Sequence, residues 1–219
     1  MKLRISPFFS DIRVPLVACR VLLLTLATTA AQAEPVQWTI SNGGNGHWYE
    51  LVTAPNGINW ASAQASATAR GGYLATLTSH AENAFAFGLA NAVPSAWIVV
   101  GGQFGEVAGP WLGAFQPAGS PEPSGNWTWN NNEGLLTTSG YNTNWQSGSP
   151  NNFGDENRLQ FYGLNFQRMP LWNDINDAAP MRGYVVEWTT APVPEPGTVP
   201  LLLAGLGAMS YLIRRVKRT

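Results

Sequence analysis

Cysteine is nearly absent from this chain of 219 residues: Cys19 is the only one. An intrachain disulfide is therefore excluded, and the fold must hold by its apolar core alone. Histidine is almost as scarce, with only His47 and His80, and neither neighbours a Ser or Cys nucleophile motif. No phosphate-binding glycine loop, zinc-ligand spacing or dinucleotide fingerprint occurs. Lysine is missing altogether between Glu34 and Gly197. Over that span the four bases Arg70, Arg158, Arg168 and Arg182 face twelve acids, a net charge of −8 against −1 for the whole chain. An acidic surface repels phosphate, so nucleic acid is excluded as a partner. It suits cations and uncharged ligands.

The remaining bases sit at the two ends. Lys2, Arg4, Arg13 and Arg20 precede the apolar run Val21 to Ala30, and Ala31-Gln32-Ala33 is a small-x-small cleavage site. This order predicts a secretory signal over residues 1–33, removed by signal peptidase. Leu16-Val17-Ala18-Cys19 resembles a lipoprotein box, but it precedes the hydrophobic run instead of following it, so Cys19 is expected to leave with the signal. At the other end, Val193-Pro194-Glu195-Pro196-Gly197 is a stiff stop, Val199 to Ile213 is apolar apart from Ser210, and Arg214-Arg215-Val216-Lys217-Arg218 is basic. As a helix the apolar part would span ~22 Å, short against a hydrocarbon core of ~30 Å. The basic cluster should stay cytoplasmic and leave the domain outside. A buried C-terminal helix is the alternative, but one would not be expected to end in four bases out of five residues.

This three-part tail resembles the PEP-CTERM sorting signal of Gram-negative bacteria, through Pro194, Glu195, Pro196, Arg214 and Arg215. The resemblance covers residues 193–219. It implies recognition by an exosortase, removal of the tail and export linked to exopolysaccharide or biofilm. The expected location is the bacterial cell surface or extracellular matrix, with transient anchoring in the inner membrane by the C-terminal helix.

The middle, 34–192, has the size of one domain and holds all ten tryptophans. Gln37 to Ile40 and Trp48 to Thr53 read as strands around a Gly/Asn turn. Asn59 predicts a helix cap, with Trp60 to Arg70 helical, Gly71-Gly72 as its stop and Trp60, Ala63 and Ala67 on the inner face. Tyr73 to Leu77 reads as a short strand or extended link. Ser79-His80-Ala81-Glu82 reads as a capping box opening a second helix to about Ala92, with Ala81, Phe85 and Leu89 as its core stripe. Beyond Pro94, Gly, Pro, Asn and Ser dominate. Short strands are expected at Ala96 to Val100, Asn126 to Trp129, Arg158 to Tyr162 and Gly183 to Trp188, and Gln116 to Ser124 as a surface insertion. The fold class is α+β: two helices, short antiparallel strands and a long loop region.

Oxygen-bearing side chains cluster in those loops: Ser149-Pro150-Asn151-Asn152, Asp155-Glu156-Asn157 and Asn173-Asp174, with Glu187 as a weaker fourth. Carboxylates and amide carbonyls on irregular loops are what calcium requires. Asn and Asp in such places also make turns, and composition leaves both readings open. The order of motifs from Trp48 to Trp188 resembles the C-type lectin-like domain. It is carried by Trp60, Gly71-Gly72-Tyr73-Leu74-Ala75, Glu82-Asn83-Ala84-Phe85, Trp111-Leu112-Gly113-Ala114, Trp127-Thr128-Trp129, Asn144-Trp145, Gly148 to Asn152, Trp172-Asn173-Asp174 and Tyr184-Val185-Val186-Glu187.

That resemblance implies a calcium-assisted sugar site in which Asn151, Glu156, Asn173 and Asp174 hold the metal and hydrogen-bond vicinal sugar hydroxyls. Ser149 stands where the family has Glu or Gln, which removes a ligand or replaces it by water. Phe153 is the expected exposed stacking aromatic. Family cysteines would fall near Ala67 and Val186, here apolar packing, and near Arg158 and Asp177, here an expected ion pair. The chain is thus read as a binding protein for carbohydrate or exopolysaccharide. A metal-independent structural or protein-binding module of the cell surface or biofilm matrix is the alternative. A hydrolase using Asp155 and Glu156 as acid and base is ranked last.

Overall fold

A computed structural model describes residues 34–134, 136, 143–192 and 205–206. The expected signal peptide lies outside the described residues, as does the sorting tail apart from Gly205 and Leu206, which are helical. Among the described residues, no helix is long and apolar enough to cross a membrane.

Within the domain the strands and α-helices are β1 (Val36–Gln37), β2 (Trp48–Ile58), α1 (Trp60–Ala69), β3 (Tyr73–Leu74), α2 (His80–Asn91), β4 (Ile98–Gly101), β5 (Glu106–Phe115), β6 (Thr128–Trp129), β7 (Arg158–Gly163), β8 (Leu171–Ile175) and β9 (Met181–Trp188). The main sheet runs β1-β2-β9-β5-β7-β8, with β3 on β9 and β4 and β6 on β5. The first and last long strands, β2 and β9, pair antiparallel from Trp48↔Trp188 to Thr53↔Gly183, which brings the two ends of the domain together.

The sheet separates two cores. Alternation along the strands sends Trp111, Tyr184 and Val186 to one face, where α1 packs through Trp60, Ala63 and Ala67. It sends Leu112 and Val185 to the other, where α2 and a cluster of tryptophans lie. Helix α1 starts where Asn59 accepts the Ser62 N–H at 2.8 Å. The tight turn after it depends on Gly72: a Cβ there would stand 2.6 Å from the Glu187 carbonyl oxygen. Ala67 and Val186 are both fully buried in one core, and Arg158 lies 3.5 Å from Asp177, so apolar packing and an ion pair occupy the two expected places. Arg158 also lies over the Trp60 ring, 4.8 Å from its centroid.

Several local features differ from expectation. Ile40 begins a 3-10 turn, Ile40–Asn42, so the first strand is only Val36–Gln37. Strand β2 runs on through Pro55-Asn56-Gly57 to Ile58 by a register shift after Thr53. Strand β5, absent from the strands expected above, runs from Glu106 to Phe115 through Pro110. The proline falls where the ladder to β7 shifts between Ala108 and Trp111, so its missing N–H costs no pairing there. Of the expected stripe of α2, Phe85 and Leu89 pack partly buried against the core and Ala81 is exposed, while the fully buried residues are Glu82, Asn83, Ala86 and Ala90. The helix is pulled inward by two polar side chains. Asn83 accepts the Trp172 indole N–H at 2.7 Å, and Glu82 accepts the Tyr49 hydroxyl at 2.5 Å. Glu82 also completes no reciprocal capping box. Ser79 accepts the Glu82 N–H, but Glu82 takes the N–H of Thr78, one residue earlier.

Candidate functional site

The site is built outward from Trp172. In β8 the side chains of Trp172 and Asp174 share the buried face, and Asn173 between them points toward the loops. Trp172 is fully buried and meets Trp129 and Trp145 edge-on, each at 6.0 Å, while Trp127 packs on Trp145 at 5.0 Å. These four rings form the floor beneath the long loops. Backbone bonds then lay the loop alongside β8: the Trp172 N–H reaches the Asn144 carbonyl and the Gln146 N–H reaches the Trp172 carbonyl, both at 2.8 Å.

Asp174 anchors the loop that carries the other candidate ligands. Its Oδ2 accepts the backbone N–H groups of Asn151 at 2.7 Å and Asn152 at 2.8 Å. Its Oδ1 is buried and has no hydrogen-bond partner among the described residues. The Ser149 hydroxyl bonds Asn173 Oδ1 at 2.7 Å, with the Gln146 amide oxygen at 3.2 Å. The Asn173 amide N–H donates to the Asp174 carbonyl. Past Pro150 the chain turns tightly, with Asn152, Gly154 and Asp155 at φ of 51°, 80° and 71°. Asn and Gly tolerate that conformation better than most residues, and Asp155 does so through its short polar side chain. The Asn152 side chain closes the turn by accepting the Glu156 N–H at 2.7 Å. The Phe153 N–H is shared between Asn151 Oδ1 at 2.9 Å and Glu156 Oε2 at 3.1 Å. The Phe153 ring itself is 85% exposed.

Ser149, Asn151, Glu156, Asn173 and Asp174 are linked in one hydrogen-bonded cluster, with Phe153 at the rim. Of the neighbouring acids, Glu156 feels the charge of Asp174, and Asp155 acts on Arg158. Glu187 does not join the cluster. It is buried on β9 and accepts from Thr76 N–H at 2.8 Å, Thr76 hydroxyl at 2.9 Å and Tyr73 hydroxyl at 3.1 Å, and it lies 2.6 Å from His47 Nδ1. Two participants escape a reading of the sequence. Gln146 carries no signal there. Asn152 stands in the Asn-Asn pair, but its side chain serves the turn.

Burial raises the Asp174 carboxyl above the usual range against the two backbone N–H groups that favour its charge. Burial first, and then the charge of Asp174, push Glu156 up to about 7. Glu50 and Glu187 are also raised, chiefly by burial. All four acids therefore bind protons more tightly folded than unfolded, where a carboxyl titrates near 4. Their contribution to stability is complete below that range and is lost as pH rises toward and through the folded values. In the presence of EDTA the unfolding temperature should fall as pH is raised from 5 to 8, as followed by circular dichroism. A rise over that interval would contradict these assignments.

The donor set fits a hard divalent cation. Two carboxylates and two amide carbonyls present oxygen, and one carboxylate oxygen is buried with its lone pairs unused. Among the described residues, no group of three or more His, Cys, Asp or Glu gathers at one point. Amides and water would have to complete the coordination.

Comparison with known proteins bears on both halves of the chain. Residues 192–218 match the family model of the PEP-CTERM protein-sorting motif, the mark of an exported protein. No curated protein matches the chain. Human lithostathine aligns with a TM-score of 0.50 and 15% identity over 79% of this chain and 99% of that one. The C-type lectin CEL-I from Cucumaria echinata aligns at 0.47 and 22% over 66% and 90%, and the cow C-type carbohydrate-recognition domain of CD23 at 0.46 and 20% over 65% and 87%. The fold is C-type lectin-like, followed by a PEP-CTERM sorting signal.

Proposed function

We propose that this exported domain binds carbohydrate through a calcium ion held by Asn151, Glu156, Asn173 and Asp174, and that its ligand is a surface or matrix polysaccharide. The observation that carries this reading is the buried, unpartnered Asp174 Oδ1 beside a carboxylate that Asp174 itself repels. Buried Asp174 and half-buried Glu156 both have raised proton affinity without a metal, and a cation between them relieves both the repulsion and the unused lone pairs. When bound, calcium supplies a charged centre that polarises the vicinal hydroxyls of a sugar. The protein's part is to hold the loop. Asp174 fixes Asn151 by its backbone, and Asn151 and Glu156 hold each other through the Phe153 N–H. Ser149 spends its hydroxyl on Asn173 and lends no charge, so the site should bind calcium weakly, in the range of extracellular modules at ~10⁻⁴–10⁻³ M.

Calorimetry with calcium, followed by a glycan array with and without EDTA, tests this reading. Binding that is sensitive to EDTA is expected; glycan binding indifferent to EDTA would overturn the metal's role. Phe153→Ala should weaken sugar binding about tenfold while leaving the calcium titration unchanged, because the ring faces solvent and only its backbone N–H touches the ligands. One observation favours a second reading. The Ser149–Asn173 bond at 2.7 Å closes one side of the site without metal, as a structural or protein-binding module of the surface or matrix would require.

A further inference from the structure

A second binding feature lies at the other turns of the sheet. The β4–β5 turn and the β7–β8 turn are joined by backbone bonds, Asn165 N–H to Phe104 carbonyl at 2.8 Å and Phe166 N–H to Gly105 carbonyl at 2.7 Å. The join raises Phe166 to the surface, 68% exposed, at φ 60°. A bulky residue is strained in that conformation, and Phe gains little burial there in return. Gly105 makes room for it: a Cβ there would stand 2.8 Å from the Phe166 ring. Beside the ring is a cleft with Trp97 and Val107 as floor and Asn91, Gln167 and Arg168 as polar rim.

Among the described residues two of the domain's four arginines, Arg168 and Arg182, have no acid within ion-pair distance, and Arg168 lines this cleft. Arg70 and Arg158 face Glu50 and Asp177. Arg168 donates its Nε–H to the neutral Asn91 amide at 2.8 Å and, among the described residues, has no acid within ion-pair distance. Its guanidinium fork is left for a carboxylate from outside. Glu106, next to Val107, belongs to the opposite face of β5, where its charge acts on Tyr162. An exposed ring, two amides and a guanidinium around an apolar floor match a pyranose that carries a carboxylate: its C–H face on Phe166, its hydroxyls on the amides and its acid on Arg168.

We propose that this cleft is a calcium-independent subsite for an acidic sugar, a hexuronic acid unit of a polysaccharide. The domain's net negative charge opposes such a chain over most of the surface, and of the two arginines without an acid partner among the described residues, Arg168 and Arg182, Arg168 is the one beside an exposed ring and two amides. The subsite is separate from the Asn151–Asp174 cluster, so either can fail without the other.

The test is calorimetry of the purified chain in EDTA with oligogalacturonate and with its methyl ester, which removes the charge and keeps the sugar. Saturable binding of the acid, at least tenfold tighter than of the ester, is expected. Arg168→Gln should abolish that preference. Phe166→Gly should weaken binding of the acid at least tenfold with an unfolding temperature equal to or above that of the parent, since glycine relieves the positive φ. Absence of binding in EDTA, equal binding of acid and ester, or binding unchanged in both variants would overturn the proposal. Self-association of the chain that Phe166→Gly abolishes, without sugar binding, would overturn it in favour of a contact between copies.

Discussion

Trp172→Ala is expected to lower the unfolding free energy by about 3–5 kcal/mol, the usual cost of emptying a buried aromatic site. Trp172 is fully buried, touches Trp129 and Trp145 edge-on, and donates its indole N–H to Asn83 on α2. Alanine would leave a cavity beside two rings, Trp129 and Trp145, and an unpaired amide oxygen on a buried helix face. The loss should reach beyond stability. The residues after Trp172 are Asn173 and Asp174, and the strand that carries them is the edge on which the 144–156 loop is laid. Urea unfolding gives the magnitude, and calcium-dependent stabilisation should vanish in the same variant. A change under about 0.5 kcal/mol, within the range of an ordinary surface substitution, would mean that the four tryptophans do not form a floor under the loop.

Asp174 separates two roles in one side chain. Asp174→Asn keeps a carbonyl oxygen able to accept the Asn151 and Asn152 N–H groups, removes a buried charge, and puts an amide where Oδ1 stood. In EDTA this variant should be as stable as the parent or more so. Calcium at about 100 times Kd stabilises a binding protein by about 2.7 kcal/mol, and that increment should be absent from Asp174→Asn. Asp174→Ala strands both backbone donors, at about 1–3 kcal/mol for each left buried without a partner, and should destabilise even in EDTA. Thermal melts of the three proteins, with and without calcium, give the comparison. Equal calcium stabilisation of parent and Asp174→Asn would remove Asp174 from the metal site.

Much of this organisation is legible in the residues because its causes are local. A side-chain oxygen at Asn59 or Ser79 satisfies free N–H groups at a helix start wherever the helix goes, so both starts are where the caps put them. The cluster at 149–174 is legible for a related reason, since turn-forming Asn and Asp crowd a loop that also presents oxygen. Long-range pairing is less so. Pro110 in β5 and Pro55-Asn56-Gly57 in β2 look like breaks, and only the register shifts of their partner strands show that the ladders absorb them. The apolar stripe of α2 finds only the flank of the inner face, where Phe85 and Leu89 pack, and misses its centre. The helix's orientation is set by Glu82 and Asn83, whose partners Tyr49 and Trp172 are distant in sequence. Glu187 misleads in the same way: its acid belongs to a buried network with Thr76, Tyr73 and His47. The Arg168 cleft has no motif at all and exists only because two turns meet.

Calcium titrated calorimetrically into the chain after EDTA treatment and dialysis bears most directly on the Asn151, Glu156, Asn173 and Asp174 site. A saturable one-site isotherm, lost in Asp174→Asn and unchanged in Phe153→Ala, is predicted. No heat of binding in the parent at millimolar calcium, or the same isotherm in Asp174→Asn, would contradict a calcium site built on these residues.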